Sequence, residues 1–382
     1  MTDENFGQCV DNLFEEFDKY DSFVDVTSAW EEILTDQFSH EFDGFYFDRF
    51  PEETVSHGDT ILGPAFTAYF SNEYGIAFYL VEELPRSEQT LTELLSRVEE
   101  HDQEYQFYTG DGTRNSPDTY DLALLTSEDN AQTAEHLVSD LLSKSKVNFN
   151  SNLVLLSYSY EDPNKNPRYE FSRLTMVDQN FRDDILPAGK RPSTVFSMEN
   201  GGFGAIGSPP GFFKDKRATG VLCNKNLSEL YFACYLWHNA FTDYLTRAEK
   251  IVWHGKDPEK TIEFDILVDE LYSDVQSRYI PVDGVEKRWV RQALDFLTRV
   301  GVAEQLDDKK YTVKFRNLQD RRREHKDVVT RRSEIADLAH LMANLHCETV
   351  LDMDPGERSG LNMDTTNVAL DEDVVQAEMG DW

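Results

Sequence analysis

The sequence predicts an α/β fold of the α+β type, in which a mixed sheet flanked by helices is followed by a smaller helical domain. Two observations lead to this prediction. Helix and strand patterns alternate over the first 200 residues, in the order helices, three strands, helix, strand, helix and strands. Near residue 285, a helix with marked ends precedes two short alternating segments. A chain of 382 residues is long enough for two or three domains.

Five segments follow from these patterns. Residues 1–200 form the α/β domain, and residues 201–260 hold a loop and a connecting helix. Residues 261–316 form the smaller domain, and residues 317–350 are first basic and then an apolar helix. Residues 351–382 contain nine acidic residues against one arginine and little periodicity. We predict a disordered acidic tail there.

The elements of the first domain are predicted from the spacing of apolar residues. Two helices open the chain, because Phe6 to Phe17 and Trp30 to Phe38 each place apolar residues on one helical side. The turn at Asn72–Gly75 joins two strands into a hairpin. The predicted strands are Phe45–Phe47, Ile61–Phe70, Tyr74–Leu84, Tyr120–Thr126, Leu153–Tyr160 and Tyr169–Met176, and the later helices are Leu91–Tyr105 and Ala131–Leu142.

A glycine-rich segment follows this domain. Residues Gly202–Gly207 match the spacing GxGxxG and follow a predicted strand, Thr194–Met198. A dinucleotide site needs the third glycine to open a helix, and the two prolines in Ser208–Gly211 prevent one. We therefore predict a flexible loop. An apolar helix is expected next, at Leu227–Leu245.

Two neighbouring strands carry a resemblance to a known family. Gly63–Phe66 lies on one predicted strand, and Tyr74–Val81 lies on the next, followed by a helix and a further strand. This order resembles the core of the PD-(D/E)xK nucleases, the restriction-endonuclease-like superfamily. The resemblance implies a restriction-endonuclease-like sheet, in which two carboxylates hold Mg²⁺ and a lysine orients or activates the attacking water.

The chain departs from that family at each chemical position. Ala65 stands where the family has Asp, Tyr79 where it has Glu, and Val81 where it has Lys. We therefore predict a catalytically degenerate domain without a metal or other cofactor. The alternative is an active Mg²⁺-dependent nuclease with relocated ligands. The carboxylates near enough in sequence for that role are Asp59, Glu73, Glu82, Glu83 and Asp121.

The second domain is predicted from a helix whose two ends are both marked. From Val285 to Val300, apolar residues follow helical spacing, and basic residues lie mainly on the other side. Asp283 is expected to cap the first turn together with Glu286, and Gly301 is expected to close the last turn.

A predicted hairpin follows that helix. Val302–Leu306 and the alternating Tyr311–Phe315 flank a polar turn. With an earlier predicted helix at Phe264–Val275, this pattern resembles the winged-helix DNA-binding family. The resemblance implies a C-terminal winged helix in which Val285–Val300 is the recognition helix.

The charge of the chain is strongly negative except in one segment. There are 37 basic and 72 acidic residues, a net charge of −35. The acids are spread along the sequence, which resembles proteins of salt-in halophiles, where molar salt screens charges beyond about 3 Å. Residues 285–332 hold 14 basic and 8 acidic residues, so 14 − 8 gives +6, and the remainder carries 23 − 64, or −41. This basic segment is the feature that informs about partners.

We predict double-stranded DNA as the partner of the basic segment, because a local run of arginine and lysine can neutralise phosphates. The residues predicted to face a groove are Lys287, Arg288, Arg291 and Gln292, and those predicted to contact the DNA backbone are Arg299, Lys309, Lys310, Lys314, Arg316, Arg321, Arg322 and Arg323.

Cysteine usage and hydropathy bear on the compartment. Cys9, Cys223, Cys234 and Cys347 form no CxxC pair, so we expect ordinary thiols and no zinc site. No apolar run is long enough to span a bilayer, and residues 1–5 lack the basic then apolar start of a secretory signal. A soluble, cytoplasmic protein without a membrane role is expected.

The sequence is also compatible with two alternative functions. The first is the Mg²⁺-dependent nuclease with relocated ligands, acting in defence, repair or mobile-element processing. The second is an interaction scaffold in which the winged helix docks a protein partner rather than DNA, since that fold serves both purposes.

Overall fold

A computed structural model of the protein describes residues 3–38, 44–51, 55–56, 59–60, 63–71, 74–81, 84–102, 105–144, 146–149, 151–161, 168–173, 203–206, 222–223, 227–254, 261–277, 285–316 and 331–353. These residues fall into two compact units. The sheet unit is drawn from Phe23–Lys214 and Ala218–Lys225. The helix-hairpin unit is drawn from Met1–Ser22, Asp215–Arg217 and Asn226–Trp382.

One long helix opens the chain. Helix α1 spans Asp3–Phe38, 36 residues, so the prediction of two separate helices was wrong. The helix continues because residues 8–38 contain neither glycine nor proline, and the junction carries buried apolar side chains, including Tyr20, Phe23 and Val24.

The sheet unit is built on a seven-stranded mixed sheet flanked by helices, which confirms the predicted α+β class. The strand order is β1-β4-β5-β8-β9-β10-β11, and the two central pairings, β5 with β8 and β8 with β9, are parallel. The remaining pairings are antiparallel. The strands are β1 Tyr46–Asp48, β4 Phe66–Ser71, β5 Tyr74–Val81, β8 Thr119–Ser127, β9 Asn152–Glu161, β10 Arg168–Arg173 and β11 Phe203–Ile206, and two small pairs are β2 Val55–Ser56 with β3 Asp59–Thr60 and β6 Phe107–Tyr108 with β7 Arg114–Asn115.

Helices account for the parallel pairings, because parallel neighbours need a crossover connection. Helix α2, Glu88–Asp102, joins β5 to β8, and helix α3, Glu128–Ser143, joins β8 to β9. Both contribute to one apolar core with one face of the sheet. This core contains Ala77, Tyr79, Leu122, Leu124, Leu153 and Leu155 from the strands and Leu91, Leu95, Val98, Val138 and Leu141 from the helices. On α1, the Trp30 ring lies 4.9 Å from that of Phe78 and 5.0 Å from that of Phe171.

The glycine-rich segment is partly a strand. Residues 203–206 form β11, which pairs with β10 at the edge of the sheet, so the prediction of a loop was wrong for these four residues. These residues form a strand because antiparallel pairing with Arg168–Phe171 satisfies their backbone hydrogen bonds. The prediction considered only the spacing of the glycines and could not include this pairing. Gly207–Gly211 and the predicted strand Thr194–Met198 lie outside the described residues.

The helix-hairpin unit contains five α-helical elements besides the start of α1 among its described residues. Helix α4, Glu229–Tyr235, continues as a π-helical turn and a 3₁₀ turn to Asp243, which confirms the predicted apolar helix at 227–245. The further helices are α5 Arg247–His254, α6 Val268–Gln276, α7 Lys287–Arg299 and α8 Arg331–Val350. The strands are β12 Thr261–Leu267, β13 Ala303–Asp307 and β14 Lys310–Arg316.

These three strands form an antiparallel sheet in the order β12-β14-β13. The hairpin of β13 and β14 confirms the prediction. The predicted helix at Phe264–Val275 was wrong at its start, because residues 264–267 belong to β12 and the helix begins at Val268. Ile262 and Ile266 are buried at a spacing that fits alternation as well as helical periodicity.

Helix α7 lies close to its predicted position. It begins after Glu286, whose side chain makes no capping hydrogen bond, and Asp283 lies outside the described residues. At its other end Gly301 has a φ of +83°, as predicted. The Gly301 N–H donates to the Thr298 carbonyl at 3.0 Å, and the Val302 N–H donates to the Leu297 carbonyl at 3.1 Å. This pair of bonds is a Schellman motif.

Candidate nucleic-acid interface

The two sides of α7 differ sharply in burial. Lys287, Arg288, Arg291 and Gln292, the residues predicted to face a groove, are all exposed. The opposite side packs into the helix-hairpin unit through Trp289, Val290, Ala293, Leu294, Phe296 and Leu297. Helical spacing therefore brings the four predicted residues together on one outward surface, which we call the α7 face.

Two of the basic side chains on the α7 face are already paired with acids. Lys287 forms an ion pair with Asp269 of α6, and Arg288 donates to Glu286 at 2.9 Å. Both pairs are largely solvent exposed, with side-chain exposures between 44% and 66%. Exposed pairs contribute at most about 1 kcal/mol, so a phosphate can replace the carboxylate at small cost.

Arg291 and Gln292 differ from these two residues. Within the part of the chain that the structure describes, Arg291 forms no ion pair and Gln292 no side-chain hydrogen bond. The pKa of Asp269 is lowered, mainly by its hydrogen bond with Lys287, with smaller contributions from the charges of Lys309 and Arg291. Arg291 is thus near enough to influence Asp269 while its donors remain available.

Of the eight residues predicted to contact the DNA backbone, four have described side chains, and three of these four are paired with acids. Lys310 lies 2.6 Å from Asp265, Lys314 lies 3.8 Å from Glu304, and Arg299 pairs with Glu229. Lys309 is exposed and forms no ion pair among the described residues. The side chain of Arg316, and all of Arg321, Arg322 and Arg323, lie outside the described part.

Acidic residues reduce the charge of the small domain as a whole. Segments 261–277 and 285–316 together hold eight basic and ten acidic residues, and 8 − 10 gives −2. Five of the ten acids lie in residues 261–277, ahead of the segment that defined the basic region in the sequence. Positive charge is therefore concentrated on the α7 face rather than spread over the domain.

Among the described contacts that help to hold α7 against its neighbours, two have no signal in the sequence. The Tyr311 hydroxyl on β14 donates to Asp295 at 2.6 Å. Burial, followed by this hydrogen bond, raises the pKa of Tyr311. On the other side, the ring of His346 on α8 stacks on Phe296 with centroids 4.7 Å apart.

Of the three positions singled out by the nuclease resemblance, Ala65 directly precedes β4, and Tyr79 and Val81 lie on the neighbouring strand β5. The Ala65 N–H donates to the Phe78 carbonyl at 2.6 Å, and Val81 is aligned with Thr126 of β8. Tyr79 is buried in the apolar core, and burial is the main cause that raises its pKa well above its usual value. Ala65 and Val81 have no side-chain ligand atom, so these positions do not fit a Mg²⁺ site.

The relocated-ligand alternative receives no geometric support from the described residues. No group of three or more His, Cys, Asp or Glu that could hold a metal occurs among them. Asp121 is buried and accepts a hydrogen bond from the Tyr74 hydroxyl. The side chain of Asp59 and all of Glu73, Glu82 and Glu83 lie outside the described part.

The cysteines depart from the prediction of ordinary thiols. Cys9 of α1 and Cys347 of α8 form a disulfide with Cα atoms 6.0 Å apart. Their separation of 338 residues left no local pattern that could indicate it. Cys223 and Cys234 are buried free thiols, and burial raises the pKa of both.

These observations define the class of the chain as an α+β protein with a mixed-sheet unit and a helix-hairpin unit that exposes a basic helix. No protein-family model matches the sequence, and no curated protein or solved structure matches it either. Among the described residues, no helix has the length and apolar character needed to cross a membrane.

Proposed function

We propose that the protein binds double-stranded DNA by placing the α7 face in the major groove, and that its sheet unit is a non-catalytic relative of PD-(D/E)xK nucleases. The observation that carries the proposal is the α7 face itself. It presents Lys287, Arg288, Arg291 and Gln292 together in a chain whose net charge is −35.

The order of elements supports both resemblances. In the helix-hairpin unit, α6, α7 and the β13–β14 hairpin follow one another as a winged helix requires, and β12 completes a three-stranded sheet. In the sheet unit, β4 and β5 are neighbours, and α2 leads to β8, which pairs with β5. This is the order that the nuclease resemblance implies.

The chemistry of the α7 face suits a groove. A helix with its side chains is about 10–12 Å wide and fits a major groove of about 12 Å. Arginine can bind guanine through two hydrogen bonds, and glutamine can bind adenine in the same way. We assign base contacts to Arg291 and Gln292, because their hydrogen-bond donors are available. We assign phosphate contacts to Lys287 and Arg288, whose ion pairs with Asp269 and Glu286 are replaced by ion pairs with DNA phosphates.

High salt explains how so acidic a protein can approach DNA. In molar potassium chloride the screening length is about 3 Å, so repulsion from distant acids is suppressed. Phosphate contacts weaken at this salt concentration as well, so the base contacts carry more of the affinity. DNA binding also requires a compartment that holds DNA, which in a cell without a nucleus is the cytoplasm.

The test is equilibrium binding to a duplex selected from a random pool in molar potassium chloride. Arg291→Ala should weaken binding by about 5- to 150-fold, the equivalent of about 1–3 kcal/mol for one base contact. Arg97→Ala removes the same charge from an exposed position of α2 and should leave binding unchanged. Equal affinities for Arg291→Ala and the unaltered protein would remove the basis of the proposal.

A second candidate is docking of a protein partner by the helix-hairpin unit. It is favoured by the ion pairs Lys310–Asp265 and Lys314–Glu304, which give the strands a mixed rather than a basic surface. Under this alternative, Arg291→Ala would leave duplex affinity unchanged and would release a protein that co-purifies from cell extract.

A further inference from the structure

The disulfide joins two distant parts of the chain within one unit. Cys9 lies in the second turn of α1, and Cys347 lies in the last turn of α8. Cys347 is fully buried, whereas Cys9 is partly exposed. One sulfur of the bond therefore belongs to a residue that a reagent can approach from solvent.

Helix α8 contacts the elements that hold the proposed recognition helix. The residue before Cys347 is His346, whose ring is nearly parallel to that of Phe296 on α7, with an angle of 7° between them. The Arg299 guanidinium lies 5.8 Å from the same Phe296 ring and pairs with Glu229 of α4. A displacement at the end of α8 thus reaches the buried side of α7 directly, through contacts that include this stacked pair.

Non-covalent contacts hold α1 further along its length. The Phe14 ring lies 4.1 Å from that of His340, and the Phe17 ring lies 5.2 Å from that of Tyr231. These contacts do not depend on the disulfide. Opening the bond would remove the covalent link between the start of α1 and the end of α8, and we expect these two ends to loosen while the rest of the unit stays folded.

We propose that the Cys9–Cys347 bond is a reversible redox site, opened by a dithiol reductant, and that its state controls how firmly α8 supports α7. The effect on DNA affinity rests on the proposed function. The opening of the two helix ends does not.

The chemistry balances with one dithiol per disulfide. A thiolate of the dithiol attacks the Cys9 sulfur, the bond to Cys347 breaks, and Cys347 leaves as a thiolate that takes up a proton. The second thiol of the reductant, as a thiolate, then attacks the reductant sulfur that is bonded to Cys9. The mixed disulfide breaks, and Cys9 leaves as a thiolate that takes up a proton. The protein gains two thiols, and the dithiol is oxidised to a cyclic disulfide.

The experiment compares the full chain before and after treatment with dithiothreitol in molar potassium chloride. Alkylation and mass spectrometry should count two additional thiols after reduction. Amide hydrogen exchange should become faster in residues 3–12 and 340–350 and should stay unchanged in the sheet unit. Failure to find the bond in the untreated protein, or unchanged exchange after its reduction, would overturn the proposal.

DNA affinity provides the second readout. Reduction should weaken duplex binding by about 5- to 150-fold, the usual range for coupling between two sites. The double variant Cys9→Ser/Cys347→Ser should bind like the reduced protein and should not respond to dithiothreitol. Measurable binding that is the same in both redox states would also overturn the proposal. If exchange responds but neither state binds DNA, the redox site stands and the proposed function fails.

Discussion

Lys287 in the first turn of α7 forms an ion pair with Asp269 in the first turn of α6. The contact joins the outward surfaces of two consecutive helices. It leaves both side chains about half exposed, at 44% for Lys287 and 55% for Asp269. The ion pair therefore contributes at most about 1 kcal/mol to stability. Its main consequence is that the Lys287 ammonium on the α7 face is already paired with a carboxylate.

Removing the acid should release that cation. We expect Asp269→Asn to tighten duplex binding by about two- to fivefold, since an exposed pair is worth under about 1 kcal/mol, with little change in stability. Titration of a labelled duplex measures the change. The control is Glu270→Gln, which removes the same charge from the next, exposed position. An equal gain for both variants would mean that net charge, rather than the Lys287 pair, sets the affinity.

The end of α7 depends on the backbone conformation of Gly301. We expect Gly301→Ala to destabilise the protein by about 1–2 kcal/mol, because φ is +83° and a Cβ is unfavourable in that region. Denaturant unfolding in high salt checks this value. Gly7→Ala is a matched change inside α1, where a Cβ would meet no atom within 4 Å. It should stabilise by about 0.5–1 kcal/mol, and losses of the same size in both variants would contradict the Schellman assignment.

His346 should make stability sensitive to acid. Its pKa falls from 6.5 to about 4, first because of burial and second because of the Arg299 charge. Between these two values the unfolded chain binds the proton and the folded chain does not, so stability present above pH 6.5 is lost as the pH falls towards 4. The unfolding midpoint of the unaltered protein should therefore fall more steeply than that of His346→Gln. Parallel curves for the two proteins would be evidence against this effect.

The sheet unit should not cleave DNA. Because Ala65, Tyr79 and Val81 provide neither carboxylate nor lysine, duplex DNA incubated with Mg²⁺ or Mn²⁺ in molar potassium chloride should remain intact. Gel analysis of end-labelled duplex measures this outcome. Cleavage that disappears in the triple variant Asp59→Ala/Glu82→Ala/Glu83→Ala would instead support the nuclease with relocated ligands.

The sequence predicted most elements of the fold because apolar periodicity is a local property. It predicted the strands of the main sheet other than β11, the glycine that closes α7 and the hairpin after it. The predicted elements were wrong where the local sequence pattern was ambiguous or absent. Residues 264–267 fit helical and strand spacing alike, and α1 continues between two apolar faces because nothing in residues 8–38 interrupts it.

The candidate site was harder to predict because its partners come from distant elements. The exposed side of α7 follows directly from helical spacing. The acids that pair with the predicted DNA-contacting cations do not. Asp269 of α6 pairs with Lys287, Asp265 of β12 pairs with Lys310 of β14, and Glu229 of α4 pairs with Arg299. The Cys9–Cys347 bond, with a separation of 338 residues, is the extreme case.

The most direct test of DNA contact by the α7 face is site-specific photocrosslinking. Replacing Gln292 with photoreactive benzoylphenylalanine should yield a crosslink to labelled duplex in molar potassium chloride, and excess unlabelled duplex should abolish it. The same replacement at Gln89, an exposed glutamine on α2, should yield none. No crosslink from position 292, or equal crosslinking from both positions, would contradict binding of DNA through α7.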